Sequence, residues 1–366
     1  MTTPSWVIDG GREPDFVRVL LYLDYGDDLS RVGPVLKMWH AEADCLLSGL
    51  LQPPGEVAKP KVQRSGFEKK PDGTGRKIRP RTWSDGITED FYQLTWVWRA
   101  TSPRADVADL KLYAFRFAER RHVMLSAAVD LEDRPGRLPV VLPPLLELLR
   151  SVADVADPVY GEVVVNAESI APNTMLDSAL LRRCDRSAAE SRTYLRGYEW
   201  VTVCPKELLP RLGGVDGLRA SKAFVAVDPL EHGGAILRAT DDPAAYGPDQ
   251  VRAVFSVLAT VLPPGQPRFL GGRDLSRVVL ADAGAQARAA GVLAVGPGLP
   301  ALDDPQVVAA QAFVAEAFAK GWVTHESADD VIPEYLREKF AGHVKVGLTE
   351  EGRRRLDQIL DELNGT

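Results

Sequence analysis

Residues 194–214 read YLRGYEWVTVCPKELLPRLGG: an aromatic and apolar run, a Cys-Pro step, a leucine-rich stretch and a glycine pair. Two-residue alternation puts Leu195, Gly197, Val201 and Val203 on one side, and Tyr194, Arg196, Tyr198, Trp200 and Thr202 on the other. Glu199 falls on the apolar side and needs a partner or an edge position. Pro205 is pre-organised to start a helix, giving two turns over residues 206–212. Gly213 and Gly214 end that helix, because glycine readily adopts the left-handed cap. The stretch therefore reads as a strand-to-helix corner. Its aromatic side, with apolar bodies and polar tips, has the composition of a recognition face.

The same grammar extends outward. Residues 16–25 (FVRVLLYLDY) read as a strand, and apolar spacing over 30–51 reads as a helix. Residues 52–86, rich in Pro and Gly, read as a long solvated loop. Strands are expected at 91–100, with Tyr92, Leu94, Trp96 and Trp98 on one face, and at 110–117 and 122–131 around an AERR turn. A helix is expected over 145–152, started by Pro143-Pro144, and a strand over 161–165. Downstream, 224–228 and 235–239 form a hairpin through PLEHGG. A helix follows from Pro248 to before Pro263, then a short one over 283–290, and Gly296–Pro300 breaks the chain. Mixed strands with helices on them define an α+β protein. The expected organisation is two mixed or antiparallel sheet modules, residues 1–155 and 156–298, and a C-terminal helical or winged-helix-like segment, residues 299–366.

The chain has 366 residues, 45% of them hydrophobic and 26% charged, with a formal net charge of −7, which opposes a general affinity for nucleic acid or anionic membrane. Neither a spanning helix nor a secretory leader is expected. Cys45, Cys184 and Cys204 are few and odd in number, and read as reduced, buried thiols of a cytoplasmic protein.

Little in the sequence points to catalysis. Tyr25-Gly26-Asp27-Asp28 resembles the metal-binding YGDD of polymerase palms, but here it leads from a strand into a helix, where acids cap free amides. His40, His122, His232, His325 and His343 lie far apart, and only His40 and Cys45 approach a metal-ligand spacing. No metal and no cofactor is expected, and the chain reads as a non-enzyme; an enzyme with dispersed catalytic residues is one alternative. Between residues 56 and 82 nine Lys/Arg face three acids, with Phe67 able to stack on a base, yet one aromatic among nine cations makes nucleic acid an unfavoured partner. Residues 348–360, LTEEGRRRLDQIL, capped by Thr349, resemble the closing helix of winged-helix regulators, so a DNA-binding regulator is the first alternative, ahead of the enzyme. Thirteen acids against seven Lys/Arg over residues 303–362 oppose DNA, and favour a helical cap or a homodimerisation element.

Arg196-Gly197-Tyr198-Glu199-Trp200, Leu212-Gly213-Gly214, residues 218–224 (LRASKAF) and Leu237-Arg238-Ala239-Thr240 resemble the type VI immunity family, over roughly residues 107–264. That family guards cells against VRR-NUC nuclease toxins. The resemblance implies a non-enzymatic protein whose partner is a protein toxin, a nuclease. A nuclease presents positive charge to phosphate, so an acidic, aromatic-anchored surface would occlude it. The candidate contact residues are Tyr194, Arg196, Tyr198 and Trp200, with Asp228 and Glu231 on the hairpin and Asp241 and Asp242 after it.

Overall fold

The computed structural model describes residues 16–53, 55–56, 59–70, 73–131, 134, 136–165, 172–267, 277–289, 312–313, 316–317, 319–327 and 344–364. The chain divides into two compact units, Met1–Ala294 and Val295–Thr366.

The first unit is built on one antiparallel sheet of ten strands. These are β1 (Phe16–Leu23), β2 (Lys61–Lys69), β3 (Gly75–Ile78), β4 (Phe91–Arg99), β5 (Asp109–Arg116), β6 (Val123–Asp130), β7 (Tyr160–Val165), β8 (Val201–Cys204), β9 (Ala226–Pro229) and β10 (Ala235–Arg238). Their order across the sheet is β3-β2-β4-β5-β6-β1-β7-β8-β10-β9. β1 pairs with β6 on one side and β7 on the other, so both expected modules contribute to one sheet. That central position matches its composition, because Val17 through Leu23 are all buried and a strand covered on both faces has no polar side.

Pairing places Trp96, Leu112, Ala127, Val19, Val163 and Val201 in one row across the sheet. Over this face lie α1 (Leu29–Leu47) and α2 (Leu138–Ala156), and His40 of α1 packs among Trp83, Trp96 and Trp98. Asp28 caps α1 by accepting the Ser30 amide at 3.0 Å, the structural role expected of YGDD. The opposite face is covered around β1, β6 and β7 by residues 172–200, which carry α3 (Met175–Ala179) and α4 (Cys184–Ala189). The first unit also holds α5 (Gly214–Ala220), α6 (Pro248–Leu258) and α7 (Ala283–Ala289).

Several expectations are corrected. Residues 52–86 contain the β2–β3 hairpin; its outward side chains are nearly all polar, and it is held by backbone pairing to β4 that no apolar period betrays. Tyr92 is the extra residue of a bulge against Phe67 and Glu68, so it leaves the Leu94–Trp96–Trp98 face and packs edge-on against Phe67 and Phe115. Pro143 and Pro144 lie inside α2, which begins at Leu138 with Pro139 as its early proline. Residues 194–200 are not a strand: regular pairing starts at Val201, and Lys206–Leu212 holds only a 3₁₀ turn from Leu209. Gly213 does close that turn, at φ 76°. Cys45 is exposed, Cys184 half-buried and Cys204 buried.

In the second unit β11 (Val323–Ser327) pairs antiparallel with β12 (Val344–Leu348), and α8 (Glu350–Asn364) follows. The Thr349 hydroxyl accepts the Gly352 amide, as its N-cap position requires. The Gly296–Pro300 break lies outside the described residues, as does His343.

Candidate functional site

The residues that suggested a recognition face lie inside the protein. Tyr194, Arg196, Tyr198 and Trp200 are all buried, and Arg196 has no solvent exposure. Because residues 194–200 are irregular, strand alternation does not govern them, and each side chain reaches a different neighbour. As an exposed partner-binding face the four are therefore corrected.

What they build is an internal junction. The Arg196 guanidinium donates to Asp177 Oδ2 at 2.8 Å, to the Ser187 hydroxyl at 3.0 Å and to the Pro172 carbonyl at 2.8 Å. It stacks over the Tyr22 ring at 4.1 Å and lies 5.9 Å from that of Tyr160. Tyr160 in turn donates to Glu162 at 2.7 Å. Burial works against the Arg196 charge, but Tyr22, Asp177 and Tyr160 outweigh it and hold its pKa above the ordinary arginine value. Burial pushes the Glu162 carboxyl up, opposed by its Tyr160 hydrogen bond and by Arg18 and Arg196. The cluster fastens the α3–α4 cover onto β1 and β7.

The remaining motif residues hold other segments. A Cβ on Gly197 would stand 2.6 Å from the Tyr160 hydroxyl, so any larger residue forces that ring or the chain to shift. The Tyr198 hydroxyl accepts the Val279 amide at 2.8 Å, and its ring meets Phe255 of α6 edge-on. Tyr246 donates to the Tyr198 carbonyl. Glu199, the acid on the expected apolar side, lies 3.8 Å from Arg277. Trp200 Nε1 donates to the Thr240 carbonyl at 2.9 Å. One pentapeptide thus ties together the cover, β7, the segment after residue 277 and the turn after β10.

Chemically the cluster offers little. Asp177, Ser187 and Arg196 have no exposure, so no substrate reaches them while the cover is in place. Among the described residues no group of three His, Cys, Asp or Glu could hold a metal ion, and no helix is long and apolar enough to cross a membrane.

The four acids, in contrast, lie at the surface. Asp228 on β9 is half-exposed, with Arg150 of α2 at 3.9 Å, and Asp241 lies 3.5 Å from Arg238. Asp242 caps the next turn by accepting the Ala244 amide at 2.8 Å. Glu231 is exposed at the hairpin tip, where its amide donates to Asp154 of α2. Between α2 and β8–β10–β9 lies an open cleft of about 270 Å³, lined by Leu146, Glu147, Arg150, Asp228, Ile236 and Arg238. Asp228 lines it, and Asp241 is joined to it through the lining residue Arg238. Sequence reasoning missed Asp177 and Glu162: Ser187 and Arg196 meet Asp177 only through the fold of the irregular cover, and the Tyr160–Glu162 bond within one strand has no periodic signature.

No family model and no curated protein sequence matches the chain. Among solved structures it is similar to one described as Pseudomonas aeruginosa T6SS protein PA0821, at 16% identity and a TM-score of 0.45. The match covers 83% of this chain and 88% of that one.

Proposed function

We propose that this chain is a non-enzymatic immunity-type protein that binds and neutralises a nuclease toxin through the acidic rim of the α2/β9–β10 cleft. The observation that carries this reading is the surface exposure of Asp228, Glu231, Asp241 and Asp242 on the β9–β10 hairpin and the turn after it, with Asp228 lining the cleft. The residues resembling the type VI immunity family supply the rigid frame behind that rim: Trp200 is bonded to Thr240, directly before Asp241. Charge complementarity speeds encounter with a basic nuclease surface and fixes its register. A cleft edged by rigid turns loses little entropy on docking.

Co-expression with a VRR-NUC nuclease toxin tests the reading. Wild-type protein should restore growth, and a variant with all four rim acids changed to lysine should not, although it accumulates as folded protein. Equal protection by both would remove the rim from the mechanism.

A further inference from the structure

A second stretch of the sheet is only partly covered, at the far end from the acidic rim. Along β5, and along β4 past its bulge, burial alternates: Leu94, Trp96, Trp98, Leu110, Leu112 and Ala114 are buried on the α1 side, while the residues between them are half-buried. On β6 both faces are buried, so the α3–α4 cover reaches at least that strand. The open face of β2–β5 gathers four aromatic rings that are scattered in sequence. Phe67 meets Tyr92 at 6.0 Å, Tyr92 meets Phe115 at 5.0 Å, and Tyr113 lies nearly parallel to Phe115, with 9° between planes. Lys69 Nζ stands 5.3 Å from the Tyr92 ring centre, and Lys77 pairs across from Phe67 and is exposed.

This is the aromatic support that the basic segment lacks when read as a loop. The segment that contains the hairpin carries nine Lys/Arg against three acids between residues 56 and 82. One of those acids, Glu68, is buried and bonded to Arg76 and Thr88. The net charge of −7 does not cancel this local field, because exposed charges are screened beyond about 10 Å at ordinary salt. Lysine is depleted in protein–protein interfaces, whereas grooves that follow phosphates are rich in it. Flat rings beside cations on an open sheet suit unpaired bases, whose faces stack without regard to sequence.

We propose that the open face of β2–β5 binds a single strand of nucleic acid, with bases stacked on Phe67, Tyr92, Tyr113 and Phe115 and the backbone running along Lys69 and Lys77. The contact uses base faces and phosphates, which DNA and RNA share, and it is separate from the acidic rim.

Fluorescence anisotropy of the full chain with labelled oligo(dT) and oligo(U) of roughly 15 nucleotides, a length set by single-strand site sizes, tests this directly. Both strands should bind at low salt, and a duplex of equal length at least tenfold more weakly. Tyr113→Leu/Phe115→Leu should weaken binding about tenfold or more, in line with the loss of stacking. Lys69→Gln/Lys77→Gln should reduce the slope against log salt by roughly one to two, as lost phosphate contacts require. Melting curves check that each variant is folded, and the lysine pair, being at the surface, keeps the test open if the ring pair does not fold. No binding at low salt, equal affinity for duplex, or displacement by polyglutamate as efficient as by unlabelled oligo(dT) would overturn the proposal, the last in favour of an acidic protein partner. Reversing the four rim acids should leave strand binding intact, so failure here is distinct from failure of toxin neutralisation.

Discussion

Arg196 and Asp177 form a 2.8 Å ion pair in which neither side chain is exposed to solvent. The pair bridges the irregular run before β8 and the cover helix α3. Breaking one side leaves the other charge buried, which typically costs about 3–5 kcal/mol. Asp177→Ala should therefore destabilise strongly, while Arg196→Met/Asp177→Leu should recover much of the loss, both read from urea midpoints. Equal losses in the single and double variants would mean that packing, not charge, dominates the junction.

Gly197→Ala should cost about 1–3 kcal/mol, as overpacked interiors do, because the new methyl meets the Tyr160 hydroxyl at 2.6 Å. Tyr160→Phe removes that oxygen. The double variant should therefore melt higher than Gly197→Ala alone.

Trp200→Ala should act on the fold. Its indole is buried and hydrogen-bonded, and deletion of a core tryptophan costs about 3–5 kcal/mol. Calorimetry should show a large fall in melting temperature. Unchanged melting with lost partner binding would restore Trp200 to a surface role.

His40 sets a pH dependence. Burial among Trp83, Trp96 and Trp98 is the main cause of its lowered pKa, with Arg64 adding to it and Asp44 opposing. Above its ordinary value of 6.5 both folded and unfolded forms are neutral and the group contributes nothing to the slope. As pH falls through 6.5 the unfolded chain takes up a proton that the folded one resists, so stability declines until the folded pKa is passed. Denaturation midpoints between pH 7 and pH 5 should fall less in His40→Gln than in the wild type.

The thiols give a quick check of the packing. Cys45 is exposed and Cys204 is buried, with its pKa pushed up by that burial. Iodoacetamide should label Cys45 in the native protein and reach Cys204 only after unfolding.

The sequence discloses elements whose burial follows a simple period. β1, β5, β6, β7 and the β9–β10 hairpin are legible because apolar residues recur in short runs between turn residues. The 194–200 segment fails that reading because its side chains reach partners as remote as Tyr22 and Val279, and local alternation carries no trace of them. The β2 strand fails for the opposite reason, since its residues are mostly polar and look like loop, and the backbone pairing to β4 that orders it leaves no apolar period. The four acids are legible as residues of the hairpin and the turn after it, but the cleft that Asp228 lines depends on α2 packing against β8, β10 and β9. The aromatic face required both the unread strand and the Tyr92 bulge, so no window of sequence contains it.

The central claim, neutralisation of a nuclease by an acidic rim on a rigid frame, is most directly tested by titration calorimetry of the purified chain against a catalytically inactive VRR-NUC toxin domain. The account predicts a one-to-one complex that weakens steeply with salt and is lost when Asp228, Glu231, Asp241 and Asp242 become lysine. A complex of unchanged affinity in that variant, or heat that appears only with a substrate the chain itself consumes, would contradict it.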